Sequence, residues 1–115
     1  MTRSIRPTLL TTLAATLALA AGASSVQAQD VDAAMALAKK SDCLKCHAVD
    51  KKKDGPSYKE VAAKYKGKAD GEQKLFVHLT TSPKVKIDGK EEEHTSLKTR
   101  NEAEIRNVVQ WILTR

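Results

Sequence analysis

The chain has little of what a stable small domain usually relies on. Tyr58, Tyr65, Phe76 and Trp111 are its only aromatic residues. Two cysteines, Cys43 and Cys46, are too few for the framework of bridges that staples many small exported domains. Methionine occurs only as Met1 and Met35, and histidine only as His47, His78 and His94. We find no internal repeat, no long low-complexity linker and no run with the strict alternation of a strand. A glycine-rich phosphate loop, a Ser-His-Asp set and a paired acid and base are all missing, so the sequence offers no constellation for independent catalysis. It reads as a protein that is not an enzyme.

One long apolar run is present, at the start. Arg3 and Arg6 precede a Leu- and Ala-rich stretch from Leu9 through Ala21, and Val26-Gln27-Ala28 places small residues where a signal peptidase reads. Residues 1–28 are therefore expected to be a cleaved signal peptide, with Ala23 as the fallback cleavage point. The alternative, a retained anchor, is disfavoured because the run is shorter than the roughly 20 residues a bilayer span needs. No second such run follows, so residues 29–115 are expected to form one soluble, periplasmic domain without a membrane span.

That domain holds about 87 residues, and a core of this size generally needs a staple such as a metal or a cofactor. A large buried cofactor would supply the apolar bulk that four aromatics do not. Loss of Arg3 and Arg6 with the leader lowers the formal charge from +6 to +4. Lysines cluster at Lys51 to Lys53, at Lys64, Lys66 and Lys68, and at Lys84, Lys86 and Lys90. Most of them read as solvated surface, and together they form a basic face that could steer the protein to an acidic partner. Nucleic acid is excluded as a partner by export and by the absence of aromatics interleaved with the lysines.

Helical periodicity predicts four segments. The first runs from about Val31 to Asp42, with Val31, Met35 and Ala38 on one face. The second runs from about Ser57 to Lys66, after Pro56 and before Gly67, with Tyr58, Val61, Ala62 and Tyr65 as its stripe. The third spans about Asp70 to Leu79 and ends at Ser82-Pro83. The fourth begins at Asn101, where Glu104 completes a capping-box pattern, and carries Ile105, Val108, Val109 and Ile112. A polar loop from about Thr80 to Arg100 separates the last two. Its length marks it as functional or disordered, and it contains His94.

Cys43-Leu44-Lys45-Cys46-His47 carries the chemistry. Two thiols separated by two residues can each form a thioether to one of haem's two vinyl groups, and the next residue then brings its imidazole to the iron. Three other uses fit less well. A redox dithiol usually sits in a βαβ context, and no such context is visible. A structural zinc site needs a second pair of ligands at finger spacing. A disulfide would close a very small loop and contribute little. One covalently held haem c is the expected cofactor, with Cys43 and Cys46 as thioether positions and His47 as the proximal iron ligand.

In the order of a helix, CxxCH, Gly55-Pro56, a Tyr-containing helix, a further helix, a ligand loop and a Trp-containing C-terminal helix, the mature chain resembles the class I cytochromes c, above all the small bacterial type. The resemblance implies an all-α cytochrome c fold, about four helices around one haem, with the first and last helices crossing near a haem edge. It also implies that the Pro56 carbonyl accepts a hydrogen bond from His47, and that Trp111 packs near the haem or at the helix crossing. Family members normally supply a second axial ligand, a methionine, from the loop before the last helix, and here that loop has none. Met35 lies on the first helix and reads as core. His94 falls close to the missing methionine's position and is the expected distal ligand. The alternatives are a vacant or water-filled site, His78, which otherwise reads as exposed or at the haem edge, and a loop lysine.

A second imidazole in place of a thioether should lower the haem potential, and Glu91, Glu92 and Glu93 beside His94 should push the same way. The leading functional expectation is one-electron transfer to a redox partner protein with an acidic docking face. A gas-binding protein with a labile distal site is the alternative. A haem subunit of a larger redox complex, or half of a homo- or heterodimer, is also permitted.

Overall fold

The computed structural model describes residues 28–115, so the expected leader lies outside them except for Ala28. Five helices are present among the described residues: α1 (Val31–Lys40), α2 (Cys43–Cys46), α3 (Tyr58–Tyr65), α4 (Gly71–Thr80) and α5 (Glu102–Leu113). A two-stranded antiparallel hairpin of β1 (Lys84–Ile87) and β2 (Lys90–Glu93) lies between α4 and α5. The fold is mostly helical, as expected, and the hairpin adds regular structure to the segment expected as a polar loop from about Thr80 to Arg100. Its signal was short: Val85 and Ile87 alternate with Lys84 and Lys86 before Asp88-Gly89. Both turn residues adopt positive φ, at 49° and 76°, and two consecutive left-handed residues in a two-residue loop are what a tight hairpin turn requires.

Local chemistry sets each helix boundary. Asp30 caps α1 by accepting the Ala33 amide at 2.9 Å, and the helix stops before Asp42, which is left-handed at φ 63°. It is therefore two residues shorter than predicted. A reciprocal capping box starts α3: the Ser57 hydroxyl accepts from Glu60 N–H, and the Glu60 carboxylate accepts from Ser57 N–H. Asn101 caps α5 by accepting from Ala103 and Glu104 N–H, but the predicted box there is only half formed. Thr99 takes both remaining roles, its hydroxyl pairing with the Glu104 carboxylate and with the Asn101 amide.

The core sits on α5, which buries Ile105, Val108, Val109, Trp111 and Ile112 against α1, α3 and α4. From α1 it receives Ala34 and Ala38, both fully buried. This shifts the predicted face: Val31 is exposed, while Met35 and Leu37 pack only partly. Small side chains at the crossing let the two helices approach closely. Asn107 locks the approach, its side-chain oxygen accepting from Asp30 N–H at 2.9 Å and its amide donating to Asp30 O at 2.7 Å. Trp111 stands at the centre, its ring edge-on to Tyr58 at 5.0 Å between ring centres.

Candidate haem site

The short helix α2 brings Cys43 and Cys46 to one side, three residues apart. Both thiols are free and half-buried, and burial pushes the Cys43 thiol up. His47 follows as the C-cap, its amide donating to Cys43 O at 3.0 Å. Its Nδ1 lies 2.6 Å from Pro56 O. Because that carbonyl can only accept, Nδ1 carries the proton and Nε2 keeps its lone pair for a metal. The opposite side of the ring is stacked by Tyr58, 5.2 Å between centres at 22°.

Gly55 makes this placement sterically allowed. A Cβ there would lie 2.5 Å from Cε1 of His47, a distance that forces either the ring or the backbone to move. Gly55→Ala is expected to displace the imidazole and so to weaken the bond it would make to haem iron. The purified holoprotein should then show partial high-spin character in its ferric absorption spectrum. A spectrum identical to the unmodified protein's would show that the loop yields instead.

A cavity of about 510 Å³ opens in front of these groups, within the range of sites that take a cofactor-sized ligand. Cys43, Cys46, His47 and Pro56 line it together with Leu75, His78, Leu79, Val85, Ile87 and His94. Val85 and Ile87, from the segment expected to be a polar loop, form an apolar wall. Trp111 does not line the cavity and backs it through Tyr58.

His94 is held at the base of the hairpin by backbone bonds on either side. Its own amide donates to Pro83 O at 2.8 Å, and Leu97 N–H donates to Leu79 O at 2.9 Å. Beyond these, the fully buried Ser41 hydroxyl accepts Lys98 N–H at 2.9 Å. That contact ties the loop to the residue preceding the CxxCH turn by two.

Burial, with His78 and His47 nearby, pushes His94 down to about 4, so at neutral pH it is the uncharged imidazole that metals bind. The ring centres of His47 and His94 are 6.1 Å apart. With metal–nitrogen bonds of about 2.0 Å, and each ring centre about 1.1 Å behind its nitrogen, two imidazoles donating to one ion from opposite sides would have centres roughly 6.2 Å apart. The cavity, the two thiols and this spacing together fit a haem.

His78, expected as exposed or at the haem edge, is half-buried and lines the cavity. Its half-buried ring lies 4.3 Å from that of His94, and burial lowers its pKa. Periodicity along α4 could not have shown this contact, because the hairpin that delivers His94 was not foreseen. The rim carries charge of both signs. Lys64 and Lys86 stand there beside Asp54, Glu60, Glu92 and Glu93. Across the hairpin Glu93 lies opposite Lys84 and Glu91 opposite Lys86.

A helical shell that presents a CxxCH turn to a cofactor-sized apolar cavity defines a protein built around covalently held haem. The cytochrome c sequence profile matches residues 31–115, and the chain belongs to the cytochrome c family, whose members carry one covalently bound haem c. The crystal structure of the class 1 cytochrome MtoD from Sideroxydans lithotrophicus ES-1 superposes with a TM-score of 0.73 at 55% identity, covering 76% of this chain and 97% of that one. Cytochrome c-551 of Azotobacter vinelandii is 37% identical over 68% of this chain and 92% of its own length. The match to cytochrome c-551 of Pseudomonas aeruginosa, 51% identical, spans 34% of this chain and 38% of that protein. Among the described residues, no helix is long and apolar enough to cross a membrane.

Proposed function

We propose that this chain is an exported, periplasmic electron carrier whose single haem is ligated by His47 on one face and His94 on the other. Residues 1–28 would be removed on export, leaving 29–115 as the working domain. The 6.1 Å separation of the two imidazole centres carries this reading. When bound, the haem supplies a one-electron couple at iron, and the chain supplies the rest. His47 offers a lone pair oriented by Pro56, and His94 offers a second from a loop pinned to α4 and to Ser41. Leu75, Leu79, Val85 and Ile87 exclude water from the ring. Two nitrogen ligands held by separate anchored elements keep the coordination unchanged between redox states, which favours electron transfer over chemistry on a substrate. The net positive charge steers encounter with an acidic redox partner, and the carboxylates at the rim would select a partner face of mixed sign.

Imidazole favours ferric iron relative to a thioether, so the potential should lie below that of His/Met cytochromes. His94→Met is expected to raise it by on the order of 100 mV, a modest part of the roughly 0.8 V span that axial ligation covers. A redox titration of the two holoproteins tests this. Equal potentials, or an unmodified protein as oxidising as a His/Met cytochrome, would refute the ligand pair.

A further inference from the structure

We propose that His78 is a positioning residue for the distal ligand: its ring accepts a hydrogen bond from Nδ1–H of His94 and so orients and strengthens that imidazole. The inference rests on the reading of His94 as an iron ligand and goes beyond it. The first observation is an orphan. Nδ1 of His94 is buried without a well-formed hydrogen bond, the adjacent Thr95 backbone offering the ring only a poor contact, whereas His47 Nδ1 has Pro56 O at 2.6 Å. A metal-bound histidine almost always donates its second ring N–H, and a buried donor left unpaired is costly.

The second observation is proximity. The His78 ring centre lies 4.3 Å from that of His94, with the planes tilted by 60°. Two imidazoles joined in line by N–H···N have centres roughly 5.1 Å apart, so His78 is close enough to accept once its ring turns toward Nδ1 of His94 and shifts slightly outward. It has that freedom, being half-exposed in the last turn of α4. The backbone around the pair is fixed, because Leu97 N–H donates to Leu79 O and His94 N–H to Pro83 O. An acceptor on Nδ1–H moves electron density toward the opposite nitrogen. It makes His94 a stronger donor and favours ferric iron.

The test uses holoprotein of His78→Leu, His78→Gln and His94→Ala. Three readouts are taken: reduction potential, the ferric electron paramagnetic resonance spectrum and the carbon monoxide affinity of the ferrous form. His78→Leu should keep a low-spin ferric signal with altered g values and bind carbon monoxide ten- to a hundredfold more tightly, the usual cost of losing a metal ligand's outer partner. Each tenfold loss of ferric preference raises the potential by about 59 mV. His78→Gln offers a carbonyl acceptor and should restore all three values toward the unmodified protein. If His78→Leu yields no holoprotein, His78→Ala removes the same acceptor and reports in its place.

A silent His78→Leu, alongside a His94→Ala that opens the sixth position, overturns the role of His78 and leaves the ligand pair standing. Failure of His78→Gln to restore the values reduces His78 to packing and also overturns the role. A His94→Ala protein that stays closed to carbon monoxide while His78→Leu opens removes the ligand pair and this inference together.

Discussion

Replacing His94 by alanine should convert the protein from inert to reactive toward carbon monoxide. In the unmodified ferrous protein, two imidazoles would fill both axial positions, and the absorption spectrum should not change when the gas is added. In His94→Ala the distal position loses its donor. Met35 cannot substitute, because it lies on α1, packed against the core and outside the cavity lining. The ferrous protein should become high-spin and bind carbon monoxide at once. The fold should survive, because the loop's anchors are backbone bonds and Ser41, none of which uses the His94 side chain. A variant that stays low-spin and unreactive would mean that another donor, His78 or a hairpin lysine, holds the iron. Prompt reaction of the unmodified protein would mean that the sixth site opens readily, and a gas-binding role would take the place of electron transfer.

Trp111→Ala should be the most destabilising single substitution in the domain. Trp111 is 1% exposed at the centre of the contact between α5 and its neighbours. It meets Tyr58 edge-on, and the Arg115 guanidinium lies over its outer face, 5.3 Å from the ring centre. Truncating a buried aromatic costs about 3–5 kcal/mol, against a total stability of roughly 5–15 kcal/mol for a domain. The effect should reach the site as well, because Tyr58 bridges Trp111 to the His47 ring. Denaturant unfolding of the holoprotein should show a midpoint far below that of the unmodified protein. A loss under 1 kcal/mol would mean that the haem, and not this aromatic pair, supplies most of the core. Trp111→Phe, which keeps an aromatic edge against Tyr58, should lose much less.

What residue order settles here is what local chemistry settles. Cys43, Cys46 and His47 lie within five consecutive residues, so a single helical turn and its cap bring them together whatever the rest of the chain does. The four longer helices follow from periodicity, and α1, α3 and α5 also from capping side chains at their starts, which were legible to within about a residue. The isoleucine and valine stripe of α5 shows which face is buried, because at 3.6-residue spacing Ile105, Val108, Val109 and Ile112 fall on one side.

Tertiary packing decided the remainder. The face of α1 that is buried depends on how closely α5 approaches, and that favours Ala34 and Ala38 over the larger Val31. The hairpin depends on four-residue strands too short for alternation to stand out, and on Asp88-Gly89 accepting positive φ. From the hairpin follow the apolar wall of Val85 and Ile87, the pairing of Glu91 and Glu93 with lysines, and the delivery of His94 to within 6.1 Å of a ring 47 positions earlier in the chain. His78 comes to lie against His94 for the same reason. Contacts between residues far apart in the chain are set by how folded elements pack, and no periodicity within one element records them.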